Sequence, residues 1–155
     1  MTVHRVDELL DRIEHATIAT VSADGRPWNT PVYFARDRDF LYWSSRRDAE
    51  HSTNIRHNGL AFVVIFDSSR DDASGAGVDI EATAIELANQ SDIQGALERI
   101  YRRRQKPMPP VSQFSSGATH AVYHAQAVRV WSNVLDTSSE IPWDERVEIS
   151  LVSYP

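Results

Sequence analysis

The chain has 155 residues, a length typical of one domain with one hydrophobic core, and we expect residues 1–155 to form a single domain. It contains no cysteine, which excludes disulfides, thiolate metal sites and thiol redox chemistry, so any electron transfer requires a bound cofactor. The net charge of -6 disfavours nucleic acid as a partner, because such binding depends on Lys and Arg that neutralise phosphates. No apolar run approaches the roughly 18 residues that cross a bilayer and no apolar signal segment is present, so we expect no membrane partner and a cytoplasmic location.

The first quarter of the chain predicts a helix followed by a hairpin. Apolar residues recur with helical spacing near the start: Val6, Leu9, Leu10 and Ile13. Residues 17–21 are rich in β-branched side chains, and the pair Asp24-Gly25 suits a tight turn, so residues 28–35 are predicted to form the returning strand. Pro31 cannot donate to a ladder, and this strand is therefore expected at a sheet edge or at a bulge.

The middle of the chain predicts two more strands and a second helix. Residues 40–43 are expected to form a strand and residues 48–58 a helix that opens with an acidic side chain. Residues 60–66 are apolar throughout, a pattern typical of a strand covered on both faces, and we expect them at the centre of a barrel. Residues 67–77 are polar and contain glycine, which predicts a mobile surface loop.

The second half predicts three strands and a third helix. Residues 78–84, 121–131 and 147–151 have the alternation or the composition of strands. One side of the helix is apolar, with Ile93, Ala96, Leu97 and Ile100, and three arginines followed by prolines end it, as is usual for a solvated terminus. Six or seven strands with three peripheral helices predict a mainly β fold, an antiparallel barrel that is closed or partly closed.

Residues 43–56 form the first candidate site. They place the hydroxyls of Ser44 and Ser45, three guanidiniums and an imidazole at a strand-to-helix junction. Free N–H groups at a helix start favour an anion, and Ser and Arg side chains complete a phosphate site. A solvated turn with ordinary surface charges explains the same residues equally well.

Residues 27–33 form the second candidate site. A strand interrupted by proline can leave backbone groups free to bond the edge of a planar heterocycle, while its side chains cover the ring. Ordinary packing of an edge strand is the alternative. The pair His120 and His124 has the spacing of metal ligands on a helix but lies in a strand-like segment, so we predict no metal site.

In several segments the sequence resembles the pyridoxamine 5'-phosphate oxidase-like family of FMN-binding proteins. The similar segments follow the family's order: residues 16–21, 24–34, 42–45, 51–56, 81–84 and 128–131. The resemblance implies an antiparallel split β-barrel and a homodimer that binds FMN across its subunit interface. It also implies an oxidoreductase that acts on a small molecule, although no catalytic residue is assigned.

The resemblance also predicts a set of cofactor-binding residues. One strand would border the isoalloxazine and the ribityl chain, the strand-to-helix junction would hold the phosphate, and Trp131 would reach the flavin from the second subunit. The predicted residues are Trp28, Asn29, Thr30, Pro31, Val32, Trp43, Ser44, Ser45, Arg46, His51, Asn54 and Trp131.

Two departures from the family pattern bear on the ligand. Glu50 and His51 stand where the true oxidases carry Arg and Lys beside the phosphate, so Arg46, Arg47 or Arg56 is expected to supply the positive charge. The family's C-terminal signature for the vitamin phosphate is missing after Trp131, so pyridoxamine phosphate is not expected as the substrate.

Two alternatives to an FMN-dependent oxidoreductase stay open. One is a reductase that uses the deazaflavin F420, whose acidic tail would need a basic channel, for which residues 102–106 are the candidate. The other is a flavin-binding protein without catalytic activity.

Overall fold

The protein is described from a computed structural model, which covers residues 3–69, 77–136 and 143–150. Its helices are α1 (Val3–Arg12), α2 (Glu50–Asn58), α3 (Gln90–Arg104) and a short 3-10 helix (Val111–Phe114). Its strands are β1 (His15–Val21), β2 (Pro27–Tyr33), β3 (Ala35–Asp37), β4 (Phe40–Arg46), β5 (Leu60–Phe66), β6 (Gly77–Glu86), β7 (His120–Asp136) and β8 (Trp143–Ile149). The predicted mainly β class is confirmed.

All eight strands belong to one antiparallel sheet that curls into a split barrel. The order is β2-β1-β5-β6-β7-β4-β3, and β8 also pairs with β7. The 17 residues of β7 make this possible, because its first half pairs with β4 and its last part pairs with β8. The register with β6 shifts beside Glu81, which leaves Val128 as an extra residue, and such a bulge bends a long strand.

The barrel interior and the α3 side hold two apolar clusters. Trp43, Tyr123 and Phe34 are the largest fully buried side chains of the first cluster. The predicted apolar side of α3 is confirmed, since its four buried residues are the four that the periodicity indicates. On the opposite side of β5, Leu60 and Phe66 at the two ends of the strand are exposed, and Phe62 between them is partly covered by Trp131.

The arginines at the end of α3 correct one prediction. Arg103 donates to three carbonyls at and just beyond the end of α1, at distances between 2.7 and 3.0 Å. Arg104 lies 4.4 Å above the ring of Tyr33. The prediction of a solvated terminus is therefore wrong for these two residues. The carbonyls at a helix end lack intrahelical partners, and Arg103 satisfies those of α1.

The strand that contains Pro31 is confirmed as an edge, because β2 is a terminal strand of the sheet. Its predicted extension through residue 35 is wrong. The strand ends before Phe34, whose N–H donates to the carbonyl of Glu14 at 3.1 Å. Ala35 then begins a separate strand that pairs with β4. The buried Phe34 side chain anchors this bend.

The prediction that β5 is covered on both faces is wrong within one chain. Its residues alternate between buried and accessible, and Leu60 and Phe66 are 61% and 53% exposed. The strand is nevertheless apolar at every position, so its second face remains available for a partner.

Two predicted segments fall outside the described residues in part: 70–76 of the predicted loop and Leu151 of the closing strand. Across the described segments, no helix has the length and apolar character needed to cross a bilayer.

Candidate functional site

The junction between β4 and α2 brings a hydroxyl and an imidazole together. The Oγ of Ser45, near the end of β4, lies 2.9 Å from Nε2 of His51 in the first turn of α2. His51 is only 5% exposed, so its ring has a fixed position. Asn54, one turn further, donates from Nδ2 to the Thr20 hydroxyl at 3.0 Å and ties α2 to β1.

The start of α2 adds backbone donors to this junction. Ala49 precedes the helix in an extended conformation and provides no side-chain cap. The first intrahelical bond runs from the Thr53 N–H to the Ala49 carbonyl. The N–H groups of the residues between them have no acceptor within the helix, and such a terminus attracts anions. We call Ser45, His51 and these first-turn N–H groups the anion corner.

The three arginines expected to neutralise a phosphate are engaged elsewhere. Arg46 donates twice to Asp48, at 2.8 and 2.6 Å, on the exposed turn. Arg47 pairs with Glu86 and also donates to the Ser115 carbonyl at 3.1 Å. Arg56 donates to Glu86 at 3.1 Å. Each guanidinium therefore already has a carboxylate partner within the chain.

The strand predicted to line a ring reaches the anion corner at one end. Trp28 is paired in register with Thr20, the residue that Asn54 bonds, so β2 and α2 meet at this point. Trp28 is 49% exposed, and its Nε1 donates to the Thr30 hydroxyl at 2.8 Å. Asn29 and Pro31 are exposed and Val32 is buried, so the accessible edge of β2 carries most of the predicted ring-contacting residues.

A cavity of about 540 Å³ lies at the other end of the same strand. Pro31, Thr17, Val64 and Phe66 contribute to its wall. Pro31 is paired with Thr17, three register positions from the pair of Trp28 and Thr20, which corresponds to about 10 Å along the strand. The volume is within the usual range for a small-molecule site. Side chains alternate between the two faces of a strand, so Thr17 and Pro31 lie on the outer face of the sheet and Thr20 and Trp28 on the inner face. A ligand that reaches both the cavity and the anion corner must therefore pass over the free edge of β2.

Two predicted residues lie away from this edge. Trp43 is 0% exposed and stacks on Tyr123 in the core at 5.7 Å between ring centroids, so its side chain supports the site from behind. Trp131 lies on the outer side of the sheet, where it stacks on Phe62 at 6.1 Å with the Arg129 guanidinium 4.7 Å from its ring. Ser44 is half-buried within β4, where it is paired with Val122, and Arg46 is exposed at its end.

The role of Glu86, which connects the residues behind the anion corner, was not predicted from the sequence. Glu86 accepts from Arg47, from Arg56 and from the Tyr123 hydroxyl, the last at 3.1 Å. These residues come from β6, β7, α2 and the turn before it. No local pattern signals such a cluster, because its members extend along the chain from Arg47 to Tyr123.

Burial perturbs two imidazoles. It lowers the pKa of His51, the only cause that acts on this ring. Burial also lowers the pKa of His124 on β7, an effect that the nearby Asp92 carboxylate partly opposes. Both rings are therefore neutral at physiological pH in the free protein.

These two histidines predict acid sensitivity of the ligand-free protein. An unfolded imidazole takes up a proton near pH 6.5, whereas the folded rings do so only at lower pH, so the unfolded state binds more protons in this window. The free energy of unfolding should fall as the pH drops from about 7.5 to about 5.5, by at most about 1.4 kcal/mol per pH unit for each ring. Urea unfolding at both pH values measures this dependence.

Single variants separate the contributions. His51→Gln should reduce the pH dependence of stability, and His124→Gln should also reduce it. A full wild-type dependence in His51→Gln would show that this ring takes up its proton in the same pH range in the folded and the unfolded state.

Comparison with known proteins agrees with this architecture. The sequence profile of the family described as Pyridoxamine 5'-phosphate oxidase matches residues 2–131. No curated protein sequence matches the chain significantly.

Solved structures with a similar fold include the heme storage protein HutZ from Vibrio cholerae, with 15% identity, a TM-score of 0.73 and coverage of 85% of this chain and 95% of that chain. They include a conserved hypothetical protein from Mycobacterium tuberculosis, with 18% identity, a TM-score of 0.71 and coverage of 85% and 84%. An F420 reductase has 18% identity, a TM-score of 0.61 and coverage of 80% and 94%. At these identities the structures show a shared fold, while the profile match spans most of the chain. The chain therefore belongs to the pyridoxamine 5'-phosphate oxidase family.

Proposed function

We propose that the protein is a homodimeric FMN-dependent oxidoreductase that acts on a small molecule and binds the cofactor along the free edge of β2. The observation that carries the proposal is the arrangement on this strand, with the anion corner near Trp28 and the cavity beside Pro31. A phosphate at one end and a planar ring at the other match the two parts of FMN.

The residues present fit this cofactor. Ser45, His51 and the first-turn N–H groups of α2 would hold the phosphate, and the open edge of β2 would bond the polar edge of the ring. Bound FMN supplies the redox chemistry, accepting hydride from a donor such as a reduced nicotinamide. The protein binds and orients both partners and limits the access of water.

The outer face of the sheet supports the homodimer. We define this face by Leu60, Phe62, Phe66 and Trp131, of which Leu60 and Phe66 are largely exposed and Phe62 stacks on Trp131. Soluble monomers rarely expose a large continuous apolar surface. A second copy, related by a two-fold axis, would cover it with the same face and bring its own Trp131 towards the cavity beside Phe66.

A charge on this face should separate the subunits. Phe62→Glu would bury a carboxylate against apolar side chains of the partner, at a cost of several kcal/mol. We expect a monomer by sedimentation and a large loss of FMN affinity. Met108→Glu, at an exposed apolar residue after α3, is the matched control and should remain a dimer. A Phe62→Glu protein that is still dimeric would exclude this face as the interface.

The identity of the bound cofactor and its response to electron donors test the proposed activity. Flavin that is bleached by NADH or NADPH without oxygen supports the oxidoreductase, whereas flavin that stays oxidised with every donor indicates a binding protein. Bound F420 or heme, suggested by the F420 reductase and by HutZ, would replace FMN in the proposal. The structure favours FMN over F420, since Arg103 and Arg104 already contact the chain and leave less positive charge for an acidic tail.

A further inference from the structure

The anion corner lacks a fixed positive charge. The guanidinium nearest to it in sequence, Arg46, pairs with Asp48, while Arg47 and Arg56 share Glu86. What remains at the corner is a hydroxyl, backbone N–H groups and the neutral ring of His51. A phosphate monoester carries up to two negative charges near neutral pH, so its burial here requires a compensating cation.

Resting on the proposed function, we infer that His51 supplies this cation by taking up a proton from solvent when the phosphate monoester binds. The positive charge at the anion corner is therefore present only when the phosphate monoester is bound. The affinity for FMN, but not for riboflavin, therefore depends on pH.

The hydrogen bonding of His51 allows this change. In the neutral tautomer that carries its proton on Nδ1, Nε2 accepts from the Ser45 hydroxyl, whose oxygen is 2.9 Å away. After protonation both ring nitrogens are donors. The Nε2–H can then donate to a phosphate oxygen or to Ser45 Oγ, and the Ser45 hydroxyl is free to turn its proton towards the phosphate.

Among the residues that the structure describes, the other charged groups around the junction are bonded to one another or exposed. Strands β1, β2 and β5 present no carboxylate or guanidinium to the junction, and Thr20 of β1 is bonded to Asn54. Glu50 lies beside His51 on α2 and is exposed, and its negative charge opposes the anion. On the β4, β6 and β7 sides the charged or titratable groups are Arg46, Asp48, Arg47, Glu86, Arg56, Tyr123 and the exposed His120.

The sign of the dependence follows from linkage. Burial keeps the pKa of the free His51 below its ordinary value, and a bound phosphate raises it. Above the second phosphate pKa of about 6, FMN is a dianion and each binding event takes up one proton. The dissociation constant should then rise about tenfold per pH unit until the pH reaches the pKa of His51 in the complex.

The test compares FMN with riboflavin between about pH 6 and pH 8.5, by flavin fluorescence, and counts protons by calorimetry in two buffers of different ionisation enthalpy. We expect a rising dissociation constant and proton uptake for FMN, and neither for riboflavin. His51→Arg, whose guanidinium keeps its charge in proteins, should bind FMN without pH dependence between about pH 7 and about pH 8.5, where the phosphate is already a dianion.

Three outcomes decide the matter. A pH dependence that disappears in His51→Arg, with proton uptake by the wild type, supports the inference. Wild-type FMN binding that is independent of pH and takes up no proton overturns it while leaving the proposed function intact. Absence of FMN binding at every pH overturns the proposed function itself.

Discussion

Replacing Ser45 and His51 together by alanine should weaken FMN binding at least 100-fold and leave riboflavin binding nearly unchanged. A hydrogen bond to a charged group contributes about 1.5 to 3 kcal/mol, so two such bonds contribute about 3 kcal/mol or more, which corresponds to at least 100-fold. Riboflavin lacks the phosphate and does not use the anion corner. Quenching of flavin fluorescence measures both affinities.

A matched control removes the same residue types outside the corner. His57 and Ser116 are exposed, one at the last turn of α2 and the other in the turn before β7. The double alanine variant at these positions should bind FMN as the wild type does. Unchanged FMN affinity in the Ser45 and His51 variant would show that the phosphate binds elsewhere.

Glu86→Gln should destabilise the fold by about 3 kcal/mol. The Glu86 side chain is only 16% exposed, and its charge balances Arg47 and Arg56. Removing one partner of a buried ion pair costs about 3 to 5 kcal/mol, and the partial exposure of both arginines places the expected effect at the lower end of that range. Urea unfolding at neutral pH measures the change.

Glu148→Gln is the control for this effect. Glu148 pairs with Arg129 on the surface, where both side chains are about half exposed. Such pairs contribute about 0 to 1 kcal/mol, so the control should be close to the wild type. If the two variants lost stability equally, the Glu86 cluster would not be the structural support that its contacts indicate.

Local chemistry explains which parts of the fold could be predicted. Proline has no N–H to donate, so the edge position of β2 follows from Pro31 alone. The buried side of α3 follows from the helical spacing of its apolar residues. The junction of Ser45 and His51 was likewise predicted from residues six positions apart.

Features that depend on distant residues could not be predicted in the same way. Arg47 was a candidate phosphate ligand because of its neighbours in sequence, but its guanidinium pairs with Glu86, 39 residues later in the chain. Trp43 has the position of a site residue in the sequence, and the stacking with Tyr123 places it in the core. The apolar pattern of β5 indicated two covered faces, whereas within one chain only alternate residues of the strand are buried.

Native mass spectrometry of the protein saturated with FMN tests the central claim most directly. The proposal predicts a dimer that carries one FMN per subunit and loses the flavin in the Phe62→Glu monomer. A wild-type protein that remains a monomer without flavin at saturating FMN would contradict it.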